Sequence, residues 1–223
     1  GGALNDAVDM SGLFLRTGPI VQVKNRFNQG PVLADYNPVI TYDGPLTILI
    51  NSFSASASEI LAAALQDYNR AIIIGSDHSY GKGTVQTFVE LDKNIPKQFD
   101  NLKPFGSLKL TIQKFYRING ESTQYKGVIP DIQMPFSTDY IKTGEKILDH
   151  SLNWSQVDSV RYAQSNRHLR TLNSIIKNSQ KRIKENDYFN NLASLSKLKE
   201  KRQNKKSQEL NLTTWLSENK EYK

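Results

Sequence analysis

The chain has 223 residues, 38% of them hydrophobic with 10 Tyr and 9 Phe, so it can build a core, and no apolar run is long enough to cross a bilayer. It has no cysteine, which excludes disulfides, thiolate metal sites and a cysteine nucleophile. The net charge of +7 is uneven: residues 151–223 hold 15 Lys and Arg against 7 Asp and Glu, while residues 1–150 hold 14 against 15. That asymmetry marks a boundary near residues 140–150 and predicts a near-neutral unit over 1–140 and a basic unit over 141–223. The chain opens on Gly1-Gly2-Ala3 with no Met, basic stretch or apolar leader, and reads as a piece of a longer protein.

Leu4, Ala7, Val8, Leu13 and Leu15 recur at helical spacing, predicting a short amphipathic helix over 3–15. Residues 19–23 read as a strand, and the Pro- and Gly-punctuated stretch 25–44 as a loop or hairpin. The run PLTILI, residues 45–50, reads as a strand buried on both faces. The stretch SFSASASEILAAALQD follows, with a helix over 57–67. Asn69 suits the left-handed residue that ends a helix. Residues 71–74 form a second buried strand, stopped by Gly75. Strand, helix and strand between 45 and 75 make a βαβ unit with parallel strands. Residues 84–91 and 107–118 alternate as strands, with Leu108, Leu110, Ile112 and Phe115 as candidates for an inner face. From about residue 143 the apolar spacing is helical and the surface strongly basic. The fold class is therefore α/β, with a parallel or mixed sheet core and a basic helical C-terminal extension.

Four serines stand within seven residues ahead of the 57–67 helix. Ser56 and Glu59 have the spacing of a capping box, which satisfies free N–H groups at a helix start. A serine there can also be a nucleophile, because the next N–H emerges from a helix terminus whose partial positive charge suits an oxyanion. Position alone leaves Ser54, Ser56 and Ser58 open: Ser54 is still extended and Ser58 lies inside the first turn.

A second stretch, GSDHSYGKGTVQ at 75–86, contains the only lysine of the apolar βαβ region. Lys82 lies between Gly81 and Gly83, which let the backbone approach something closely. A phosphate loop is excluded, since five residues separate Gly75 from Gly81, Gly83 follows the lysine, and a strand follows where a helix is required. A serine at a helix start and a lysine in a glycine loop form a Ser–Lys dyad instead. The lysine must be neutral to take the proton, and Ile72–Ile74 are expected to supply apolar walls around it. His150 and His168 belong to the tail region, and His78 reads as a solvated loop histidine.

The segments FSASASEILAAALQDYNRAIIIG and SYGKGTVQ, with GGAL, SGLF and TIQKFYRINGESTQYKGVIPDIQMP, resemble the C-terminal processing peptidase family, in particular its tail-specific branch. The resemblance covers residues 1–140 and, more loosely, the tail. It implies a ClpP/crotonase-like core, with Ser56 as nucleophile, Lys82 as general base and Gln86 holding the lysine. It also implies an oxyanion hole from the N–H of Ala57 and one glycine of Gly1-Gly2. Asp67 matches an acid of the family pattern but is expected to be structural, and Glu59 to support the helix start. Ser56 and Lys82 are 26 positions apart, one more than usual in the family, with the extra residue in the loop before the lysine. On an ideal strand Lys82 and Gln86 sit about 13 Å apart by their rise, so contact requires a local irregularity.

The resemblance further implies protein or peptide substrates with apolar C-terminal tails, no cofactor, a periplasmic location and a PDZ domain that nothing in these residues matches. An adaptor protein and peripheral membrane association complete the partners considered. The rival is a non-catalytic scaffold whose basic tail binds a partner, an anionic membrane or nucleic acid. The tail lacks glycine-rich or aromatic-interleaved recognition motifs, so no nucleic-acid partner is expected.

Overall fold

The structure is a computed structural model that describes residues 2–164, 169–207 and 210–220. Helix α1 spans Leu4–Gly12, strand β1 Gly18–Lys24 and strand β2 Val32–Asp35. Strand β3 (Thr47–Ile50), helix α2 (Ala57–Asp67) and strand β4 (Ile72–Gly75) follow, then β5 (Thr84–Glu90), β6 (Ser107–Tyr116) and β7 (Ile132–Gln133). The tail holds helices α3 (Leu169–Glu185), α4 (Asp187–Gln203) and α5 (Leu212–Lys220).

Two sheets carry the strands. One is antiparallel, in the order β2-β1-β6-β5, and the other is parallel, in the order β3-β4-β7. The β3–α2–β4 unit is the predicted parallel βαβ, and the chain is mixed α/β as its sequence predicts. Helix α2 is the central element. Its alanines are good helix formers and small enough for the helix to be covered on nearly every side: Ala62, Ala63, Ala64 and Leu65 are all buried. Asn69, at φ 54°, ends it in the left-handed conformation, with its N–H on the carbonyl of Gln66. Ile20, Val21, Ile73, Phe115 and Ile118 pack around it to complete the core.

Three expectations are corrected. Strand β3 is not buried on both faces: it is a sheet edge, Ile50 is buried, but Leu49 is 73% exposed. A short apolar run does not reveal whether a second layer covers the strand. On β6 only Phe115 of the four proposed inner residues is buried, whereas Leu108, Leu110 and Ile112 are exposed. Only the C-terminal end of β6 pairs with β1; its first half pairs with β5 alone and projects as a two-stranded ribbon. Finally, the tail is not helical from 143. Residues 148–164 form no helix and run back along the core, with Val157 N–H on the carbonyl of Gly120 and Val160 N–H on that of Ile118.

Candidate functional site

The path from β3 to α2 is a tight, hydrogen-bonded turn. Ser54 Oγ accepts from Asn51 N–H at 3.2 Å, and Asn51 Oδ1 accepts from Phe53 N–H at 3.0 Å. Ser54 is thus occupied in holding the turn. Ser58 lies inside the first turn of α2. Ser56 stands at the helix start with φ 59° and ψ −117°, a conformation that costs a non-glycine residue about 1–3 kcal/mol. A bend of this kind lifts a side chain off the end of a strand and presents it at a helix terminus. The next N–H, of Ala57, has no acceptor among the described residues, as expected of the first N–H of a helix.

The lysine loop is fixed to that helix start through one carboxylate. Glu59 is fully buried and accepts from four donors: Ser56 N–H (2.7 Å) and Lys82 N–H (2.9 Å) on Oε2, Gly81 N–H (2.7 Å) and Ser79 Oγ (2.5 Å) on Oε1. The four bonds favour the carboxylate, but burial outweighs them and raises the pKa to about 7. The sequence places Glu59 at a helix cap only. Its link to a loop more than twenty residues away is invisible there, and Ser79 carried no signal at all.

The glycines beside Lys82 approach another part of this chain. A Cβ on Gly83 would lie 2.5 Å from Gln124 N and 2.8 Å from Ser122 Oγ, and Gly83 N–H donates to Gln124 Oε1 at 2.8 Å. Gly81, at φ 86°, accepts Tyr125 N–H at 2.8 Å through its carbonyl. The segment 122–128 thereby clamps the loop from behind, and Ser79 Oγ accepts Val128 N–H at 2.7 Å.

Ser56, Ala57, Lys82 and Gln86 line a single cleft of about 290 Å3, with Gly2 at its margin. A Cβ on Gly2, whose φ is +155°, would sit 3.4 Å from the Ala57 Cβ. Gly1 lies outside the described residues. The walls around Lys82 are Leu4, Ile60, Val85 and Phe115, not Ile72–Ile74, because β4 belongs to the other sheet. Lys82 Nζ makes no hydrogen bond or ion pair among the described residues. The β5–β6 register shifts between Val85 and Gln86, leaving Ile112 of β6 without a partner, and the Gln86 amide donates to Thr111 Oγ1 at 3.5 Å rather than hydrogen-bonding Lys82.

Asp67 is at the far end of α2. It pairs with Arg117 through two bonds, 2.6 and 3.1 Å, and accepts from Asn119 Nδ2 at 3.2 Å. It anchors the helix to the turn after β6, and burial still raises its pKa. The ring nitrogens of His78 face the Ser79 carbonyl and Lys146 Nζ, outside the cleft.

Comparison with known proteins adds the relationship. Residues 1–134 match peptidase family S41, and residues 138–223 match the C-terminal domain of tail specific protease (DUF3340). The tail-specific protease of Haemophilus influenzae is 48% identical over 164 residues, 74% of this chain and 23% of that protein. The carboxy-terminal-processing protease of Bartonella bacilliformis is 41% identical over 133 residues, 59% of this chain and 28% of that protein. The solved photosystem II D1 C-terminal processing protease aligns with a TM-score of 0.51 at 28% identity, covering 60% of this chain and 32% of that one. The chain thus spans about a quarter to a third of the relatives it matches.

Proposed function

Because this chain belongs to peptidase family S41, we propose that it is the catalytic part of a serine peptidase that works through a Ser56–Lys82 dyad. Residues 1–140 form the catalytic unit in this reading and 141–223 an extension. The observation that carries it is the one cleft shared by a strained serine at a helix start, a lysine amine with no partner among the described residues and the N–H of Ala57. Ser56 Oγ attacks the peptide carbonyl carbon as Lys82 Nζ takes its proton. The oxyanion that forms is held by Ala57 N–H, beside Gly2. As the C–N bond breaks, Lys82 returns the proton to the leaving amine and an ester remains on Ser56. Water then attacks the ester as Lys82 takes its proton, and the acid departs as Lys82 returns that proton to Ser56 Oγ. Gln86 borders the path as a substrate-facing amide, and Glu59 holds the backbones of both dyad residues.

The substrates in this reading are proteins with apolar C-terminal tails, and the compartment is the periplasm. Relatives named for tail-specific and carboxy-terminal processing support recognition of C-terminal tails. The test is labelling by a serine-directed acylating probe followed by peptide mapping, in the intact protein. Label is expected on Ser56, absent in Ser56→Ala and retained in Ser58→Ala. Cleavage by a folded Ser56→Ala protein, or label on another serine, overturns the assignment.

A further inference from the structure

Strand β1 ends on Lys24, which lies directly opposite Lys114 of β6. Residues opposite one another on paired strands share a face with their Cβ atoms about 5 Å apart, so two like charges placed there repel. Arg26 joins them two residues on, and Lys24, Arg26 and Lys114 all line one cavity of about 410 Å3. No Asp or Glu lines it. Neither Lys24 nor Arg26 makes an ion pair or a hydrogen bond among the described residues, whereas Lys93 pairs with Glu90 and Lys103 with Asp100. The cations are nonetheless held in place. Asn25 Oδ1 accepts the N–H groups of Phe27 and Gln29 at 2.9 and 3.1 Å, which fixes the turn that carries Arg26, and the guanidinium lies 4.6 Å from the Phe27 ring centroid. Lys114 Nζ donates to the Asn153 carbonyl at 2.8 Å and to Ser155 Oγ at 3.1 Å, so it is anchored to the 148–164 stretch, and burial lowers its pKa.

We infer that this cavity is a binding site for a phosphomonoester, held by Lys24, Arg26 and Lys114 between β1, β6 and the 148–164 stretch. Three cations on one cavity call for more than the single charge of a carboxylate, and a phosphomonoester is close to doubly charged at neutral pH. The planar fork of Arg26 matches two phosphate oxygens, with the lysines as point charges beside it. The cavity has room for an organic body behind the phosphate, and Ile112, Leu152 and Val157 give that body an apolar wall. A dianion replaces the repulsion between Lys24 and Lys114 with attraction to both. The site also touches the framework of the lysine loop. Lys114 pairs with Thr84 on its other side, and Phe115 N–H donates to the Gly83 carbonyl at 3.0 Å. A bound ester therefore steadies the strand on which the Lys82 loop rests. A soluble ester and the headgroup of a lipid present the same chemistry to these residues.

The test uses the intact protein with phenyl phosphate as the probe and benzoate as the singly charged comparison, at ionic strength matched with sodium chloride because exposed charges are screened. Calorimetric titration should give one site for phenyl phosphate, and a concentration near a hundred times its Kd should raise Tm by about 5 °C or more. Benzoate should bind at least about tenfold more weakly, for want of the second charge. Lys24→Gln and Arg26→Gln should each weaken phenyl phosphate about tenfold or more, the size of a lost charge-assisted hydrogen bond. Lys97→Gln, at an exposed lysine outside the cavity, should leave binding unchanged. Without the probe Lys24→Gln should melt at or above wild type, since a repelling charge is gone; with saturating probe wild type should melt higher. Vesicles of phosphatidylcholine with and without phosphatidic acid separate the sources. Co-sedimentation that needs phosphatidic acid and is lost in Lys24→Gln supports a lipid headgroup, and binding of phenyl phosphate without co-sedimentation supports a soluble ester. A melting shift no larger than that of sodium chloride with no heat of binding, or binding unchanged when Lys24→Gln and Arg26→Gln are combined, overturns the site. None of these readouts depends on peptidase activity.

Discussion

Glu59 makes the helix start and the lysine loop a single piece, and it does so in the form that burial opposes. Four donors converge on its two oxygens, yet its pKa lies near 7, above the ordinary 4.5. Between those values the folded protein holds a proton that the unfolded chain has released. Stability therefore falls as pH rises from about 4.5 to 7 and is flat above, by on the order of 3 kcal/mol. Activity should move the other way, since only the carboxylate accepts all four bonds. Glu59→Gln replaces one acceptor oxygen with a donor, so two of the four donors lose their acceptor. We expect kcat to fall at least tenfold and the thermal stability of this variant to lose the wild-type slope between pH 5 and 7; parallel melting profiles would sink the account. At Lys82 the expectation concerns proton acceptance. Lys82→Arg keeps a cation that cannot give up its proton, so turnover should drop about 10²–10⁴-fold. Near-normal turnover by a folded Lys82→Arg enzyme would show that another group activates Ser56.

At the scale of elements, the lysine loop depends on an approach that only glycine permits. Gly83→Ala would push a methyl against the backbone N of Gln124, which belongs to a segment locked by its own bonds to Ser79 and Gly81. Because backbone rather than a flexible side chain must give way, the variant should lose most peptidase activity while its far-UV circular dichroism stays close to wild type; full activity would mean the clamp from 122–128 does not position Lys82. The sequence foretold that the glycines allow a close approach, but not to what, because the partner is about forty residues away. The same division runs through the fold. Helix α2, the parallel pairing of β3 with β4 and the left-handed Asn69 were legible, since each depends on local pattern or on one residue's conformational freedom. The exposure of Leu49, Leu108, Leu110 and Ile112 was not, because alternation shows that a strand has two faces and not which face another layer covers. Ser56 was readable as a cap or a nucleophile, whereas its strained backbone, which separates it from Ser54 and Ser58, exists only in three dimensions.

Across the whole molecule, the charge boundary and the packing boundary do not coincide. Residues 151–164 contain one Asp and one Arg, so the +8 of the tail belongs to the residues after them. This near-neutral stretch is strapped to the first part of the chain. Ser155 accepts Ser122 N–H, Asp158 accepts the Gln22 amide, and Trp154 donates to the Ser122 carbonyl at 3.0 Å while Lys126 lies 3.6 Å from its ring. Tyr162 stacks edge-on against the buried Tyr68 with centroids 5.4 Å apart. With the bonds of Val157 and Val160, the strap contributes several hydrogen bonds at about 1 kcal/mol each, and its aromatic contacts about as much again per pair. Helices α3 and α4 follow, rich in Lys and Arg on exposed surfaces that gain little from folding. A stop after Gln164 in the intact protein should therefore keep a cooperative thermal transition and acylation of Ser56 by the probe. A stop after His150 removes the strap and should lower Tm by about 10 °C or more, since 1 kcal/mol shifts a chain of this size by about 2–4 °C. Equal melting temperatures for the two truncations would mean that the strap rests on the core without stabilising it.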